Sequence, residues 1–206
     1  MEQKHIYIVF SATPYFIGRA IRAVTGEMYN HASIALDEKL ERMYGFSRRY
    51  YKVPLYGGFV RESLSRYHVN GKSTYVSICK IPVTVEQYTH LEDLFAEMYA
   101  RRDHYLYNHI SALGALFHRR IRAKDAYTCV EFCVQILNSL GIDLDPKKYY
   151  SVCDVQRLLQ DYEVYTGEMY PAAEYDASYF ARRPIPYPTS KTIREIYKLL
   201  PRLANK

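Results

Sequence analysis

The 206-residue chain has no tryptophan, only four cysteines, and no apolar run long enough to cross a bilayer. The missing run excludes a transmembrane helix from the expected fold. The first residues, Met1-Glu2-Gln3-Lys4-His5, lack the basic, apolar and small-residue layout of a secretory leader, so a cytoplasmic location is expected. Thiols there stay reduced, and Cys79, Cys129, Cys133 and Cys153 outline no disulfide framework. Other cysteine motifs fail on spacing. Cys129 and Cys133 are one residue too far apart for a thioredoxin-type pair, and Cys79 and Cys153 have no Cys or His neighbour to complete a zinc site. A Walker loop is absent, and Gln135 stands where a tyrosine phosphatase would need arginine. The sequence therefore calls for no cofactor.

Present instead are 49% hydrophobic residues, 23 tyrosines, and 28 Lys plus Arg against 22 Asp plus Glu, a net charge of +6. Such a chain can bury a core and suits one domain over residues 1–206. The positive balance favours anionic partners in principle and reads first as a solvated basic surface. Tyrosine beside arginine can stack on bases. The tyrosines are spread over the whole chain without a nucleic-acid motif, however, and no specific nucleic-acid partner is expected.

Strands are predicted over His5 to Ser11, Asn30 to Leu36, Leu40 to Phe46 and Ser73 to Ile81. The second and third are joined as a hairpin across Asp37-Glu38-Lys39, and the last is ended by Pro82. Tyr50 to Gly58 reads as a loop, and Phe59 to Leu64 is ambiguous. Helices are predicted over Tyr15 to Val24, Val85 to Arg101, Ile110 to Phe117, from Cys129 to a stop at Gly141, over Val152 to Leu159, and over Thr189 to Leu203 with a disturbance at Pro201. Tyr162 to Tyr165 reads as a late strand, and Tyr170 to Pro188 as an extended proline-rich arm. Segregated strands and helices point to an α+β fold.

The chemistry concentrates at Tyr127-Thr128-Cys129-Val130-Glu131-Phe132, where a thiol stands at a helix start. Unpaired N–H groups and the helix dipole favour a thiolate there. A cysteine so placed is a candidate nucleophile, and its other reading is a small buried apolar residue. A nucleophilic cysteine needs an imidazole, and His31 in Asn30-His31-Ala32-Ser33-Ile34-Ala35-Leu36 has small neighbours that leave room around its ring. His104, which could pair with Asp103, His109 and His118 among arginines compete without that setting. Tyr127 is close enough in sequence to line a substrate pocket and reads equally as packing.

The His31 strand, the strand after it and the Tyr-Thr-Cys-x-Glu-Phe helix start resemble the circularly permuted branch of the NlpC-type papain-like enzymes. That branch includes YiiX/YaeF-like amidases and lecithin retinol acyltransferase-like proteins, and in it the histidine precedes the cysteine. The resemblance spans roughly residues 7–159 and leaves the arm and terminal helix, 170–206, outside. It implies a small antiparallel sheet packed against the cysteine helix, and a third polar residue on the strand after the histidine. Met43 stands where the acyltransferase-like relatives carry a second histidine. Tyr44, Ser47 and Glu62 are the polar residues nearby, and Glu62 is the first choice because a carboxylate best orients and stabilises an imidazolium. The implied activity is a cysteine hydrolase, an amidase, peptidase or thioesterase-like acyl transferase, acting on a small-molecule, lipid or peptide substrate. The other reading is an inactive binding module for an anionic lipid, peptide or cell-wall-like ligand.

Overall fold

An unbroken apolar run, Ile6-Tyr7-Ile8-Val9-Phe10, suits a strand covered on both faces, and it lies inside the main sheet. The structure, a computed structural model, describes residues 3–13, 22, 26–145, 147–181 and 187–204. In chain order the strands and helices begin with β1 (Lys4–Ser11), β2 (His31–Ala35), β3 (Met43–Arg48), β4 (Gly57–Glu62), β5 (His68–Val69), β6 (Lys72–Ser73) and β7 (Tyr75–Val83). Then come α1 (Val85–Ala100), β8 (Leu106–Tyr107), α2 (His109–Gly114), β9 (Ala126–Tyr127) and α3 (Cys129–Ser139). The chain continues through α4 (Val152–Leu158), β10 (Glu163–Glu168), α5 (Ala177–Phe180) and α6 (Tyr187–Ala204).

Among the described residues, eight strands form one sheet in the order β10-β7-β1-β2-β3-β4-β8-β9. Its pairs are antiparallel except β8–β9. This mixed α+β fold is built on a large sheet rather than the small one expected. Alternate residues of β1 serve two apolar layers. Ile6, Ile8 and Phe10 meet Leu91 and Phe95 of α1 and Phe132 and Ile136 of α3, whereas Tyr7 and Val9 meet Met43, Tyr67 and Ile78.

Several local expectations need correction. The glycines of Tyr50 to Gly58 read as loop, yet Gly57 and Gly58 open β4. A Cβ on Gly58 would lie 2.3 Å from the Tyr105 carbonyl oxygen, so glycine here permits close backbone approach to the neighbouring chain. Pro82 does not end β7. That strand pairs with β1 as far as Val83, while β10 reaches only Cys79, which leaves Pro82 an unpaired side. Lys72 and Ser73 form a hairpin with β5 through Asn70 and Gly71, whose φ values are 55° and 72°; β7 starts only at Tyr75.

The arm is not extended throughout. Asp176 caps α5, buries Tyr179 behind it and pairs with Arg66 at 3.1 Å. The helix expected over Tyr15 to Val24 lies, but for Arg22, outside the described residues. No helix among the described residues is long and apolar enough to cross a membrane.

Candidate active site

Thr128 and Glu131 set the position of Cys129. The Thr128 hydroxyl accepts from the Glu131 N–H at 3.2 Å, and the Glu131 carboxylate accepts from the Thr128 N–H at 2.8 Å. This capping box starts α3 one residue before the thiol and engages the N–H groups of Thr128 and Glu131 but not that of Cys129. Glu131 also accepts from Ser111 at 2.6 Å and Arg120 at 3.3 Å, which ties α2 and the following loop to the helix start.

Three candidate residues far apart in sequence come together. His31 Nε2 lies 2.9 Å from Glu62 Oε1, and Cys129 is near enough to act on the charge of the imidazole. The β2–β3 ladder pairs only Ile34 and Ala35, and the Glu62 carboxylate lies over Gly45, where an added Cβ would sit 3.1 Å from Oε1. The Tyr67 hydroxyl donates to Glu62 Oε2 at 2.6 Å, and Ser33 Oγ lies 3.0 Å from His31 Nε2 and 3.2 Å from Tyr67. Burial is the largest influence on both charged partners and opposes each charge. The ion pair overrides it. Glu62, with help from Cys129, raises the His31 pKa to about 10, and His31, Tyr67 and Arg66 bring Glu62 down to about 2. At neutral pH the resting pair is imidazolium and carboxylate.

Met43 pairs directly across from Glu62 on the adjacent strand. Met43 itself is buried, and its sulfur lies 3.8 Å from the Tyr67 hydroxyl.

Cys129 opens onto a cleft of about 810 Å³, its open mouth included. Tyr29, Tyr107, Val130, Val134 and Tyr149 supply apolar wall, and Glu27, Glu131, Arg120 and Lys148 bring charge of both signs. Of the four buried, unpaired thiols, Cys129 alone lines the cleft among the described residues. Burial pushes Cys133 well above the ordinary thiol range and Cys79 to about 12, so both are poor nucleophiles.

Tyr127 does not line the cleft. Its ring packs on Phe46 at 5.2 Å. Its partner across the β8–β9 pair, Tyr107, lines the cleft with Cys129 instead. Burial, followed by Cys129 and Glu131, holds the Tyr107 phenol well above its ordinary range, so it stays a protonated donor. Of the competing histidines, His118 stands edge-on to the Tyr149 ring at 5.7 Å. His104 meets Asp125 at 2.9 Å rather than Asp103, and His109 bonds the Leu55 carbonyl at 3.0 Å. No group of three His, Cys, Asp or Glu side chains among the described residues is placed to hold a metal ion.

Comparison of the chain with known protein families, curated proteins and solved structures returns no match.

Proposed function

We propose that the protein is a cysteine-dependent acyl-transfer hydrolase, an amidase or esterase of permuted papain-like type. The observation that carries this reading is the gathering of Cys129, His31 and Glu62, with Cys129 lining a cleft and the other two largely buried behind it. In the resting site the proton rests on His31. Cys129 Sγ attacks the carbonyl carbon of an amide or ester, forming the S–C bond. The oxygen that gains charge meets the Cys129 N–H and the Tyr107 hydroxyl, an arrangement worth a few kcal/mol for each well-placed donor. His31 gives its proton to the leaving nitrogen or oxygen as that bond breaks. Water then attacks the thioester, His31 takes a proton from it, and the freed thiolate restores the pair. Glu62 stays ionised throughout and holds the ring, as the orienting carboxylate of a triad does.

The histidine-before-cysteine order, with α3 packed on β2 and β3, supports the permuted papain-like assignment. The aromatic wall favours a substrate with an apolar acyl part, which a lipid, a peptide or a small amide can supply. Hydrolysis of short and long p-nitrophenyl acyl esters by wild type and Cys129→Ala tests the reading. Turnover abolished in the variant is expected; equal turnover in both would leave the cleft as a binding site.

A further inference from the structure

Helix α6 is turned the opposite way from an ordinary surface helix. Helical spacing puts Ile193, Ile196, Tyr197 and Leu200 on one face, with Lys191, Glu195, Lys198 and Arg202 on the other. A helix packed on a core hides the first set, but here the charged face meets the protein. Glu195 is buried and lies 3.7 Å from Lys198. Arg202 donates to the His104 carbonyl at 2.8 Å and to those of Lys124 and Asp125, and Lys191 sits 5.3 Å over the Tyr56 ring. Leu199 joins Leu106 and Ala126 in a small apolar cluster. The apolar face looks out: Ile193 is 48% exposed, Ile196 47%, Leu200 50% and Tyr197 73%.

A second segment that meets the inner side of α6 also exposes apolar side chains. Ile110 of α2 packs on the Leu199 cluster, and along the same segment Leu113 and Phe117 are 66% and 75% exposed. The next residues, His118-Arg119-Arg120-Ile121-Arg122-Ala123-Lys124, are strongly basic. Of the α6 cations, Lys191, Lys198 and Arg202 turn toward the protein, and Arg194 is exposed.

The charge pattern chooses the occupant. A second copy would bring one basic rim against another. An anionic bilayer offers an apolar layer for Ile193, Ile196 and Leu200, an interface suited to Tyr197, and negative headgroups for the exposed Arg194, Arg119 and Lys124. We propose that the outward face of α6, with Leu113 and Phe117 beside it, docks the protein on anionic membrane surfaces. The helix would lie in the interface without spanning the bilayer, and the docking is independent of the cysteine chemistry.

Co-sedimentation of the full chain with phosphatidylcholine vesicles, with and without phosphatidylglycerol, tests this. The wild type should pellet with the anionic vesicles, less so as salt rises. Ile196→Glu/Leu200→Glu, at two exposed positions, should lower partitioning at least about tenfold. Arg194→Gln, which leaves the apolar face intact, should lower it about fivefold, and Cys129→Ala should bind like wild type. Failure of the wild type to pellet with anionic vesicles would overturn the proposal, as would unchanged binding of the double variant. So would a dimer seen by light scattering that the double variant dissolves while vesicles capture nothing; the stripe would then be a self-association face.

Discussion

Replacing Glu62 by Gln keeps the shape of the side chain and removes the charge that holds His31 protonated. The buried ring alone would resist protonation; Glu62, 2.9 Å away, reverses this and raises its pKa to about 10. The sign differs for the two partners. Stability from the raised His31 is fully present below 6.5 and is lost as pH rises through about 10. Stability from the depressed Glu62 is present above 4.5 and is lost as pH falls through about 2. The pair's contribution is therefore complete between 4.5 and 6.5 and smaller on either side.

Breaking a buried pair costs about 3–5 kcal/mol when the remaining charge is stranded. In Glu62→Gln the imidazole escapes by releasing its proton, so a loss of about 2 kcal/mol at pH 7 is expected. Urea unfolding measures that loss, which should shrink above pH 10 as the wild-type ring also discharges. Titration of ¹⁵N-labelled histidine by NMR measures the cause: the His31 pKa should fall at least about two units in the variant. A variant whose His31 still titrates near 10, or whose stability falls by under about 0.5 kcal/mol, would refute the reasoning.

Gly45→Ala puts a methyl group 3.1 Å from Glu62 Oε1 and 3.4 Å from Ser33 Oγ, so the carboxylate must move. A loss of about 1–2 kcal/mol in urea unfolding and a lowered His31 pKa are expected. Tyr107→Phe removes the hydroxyl beside Cys129. With an active ester, kcat should fall about 10–100-fold at nearly constant KM, because the donor acts on the charged intermediate; an unchanged kcat would make Tyr107 a wall residue only.

The parts of the site that could be read from the sequence are those with local causes. The Thr128–Glu131 capping box fixes where α3 starts, and thus places Cys129, within four consecutive residues. The small residues around His31 mark a strand that leaves room for a ring. Glu62 could be ranked on chemistry alone, since a carboxylate outdoes Tyr44 or Ser47 as partner to an imidazolium. Tyr67, Ser33 and Tyr107 act through contacts that close only when distant strands meet, and nothing separates Tyr67 or Tyr107 from the other tyrosines in the sequence.

In the fold, strand β1 and helix α1 carry unmistakable patterns. The ambiguity at Phe59 to Leu64 has a physical origin. Strand β4 is buried at Gly57, Gly58, Phe59 and Val60 in succession, so it shows no two-residue alternation, and its glycines mimic a loop. The Asn70-Gly71 turn was a legible hairpin signal inside the stretch before β7. The size of the sheet was not legible, because β8 and β9 are two residues each and exist only through their neighbours.

The most direct measurement is the rate of iodoacetamide labelling of each cysteine at pH 7, read by peptide mass spectrometry, for wild type and His31→Ala. Cys129 should label at least about tenfold faster than Cys79, Cys133 and Cys153, and that advantage should vanish without the imidazolium. Equal, slow labelling of all four thiols, unchanged by His31→Ala, would contradict a nucleophilic Cys129–His31 pair.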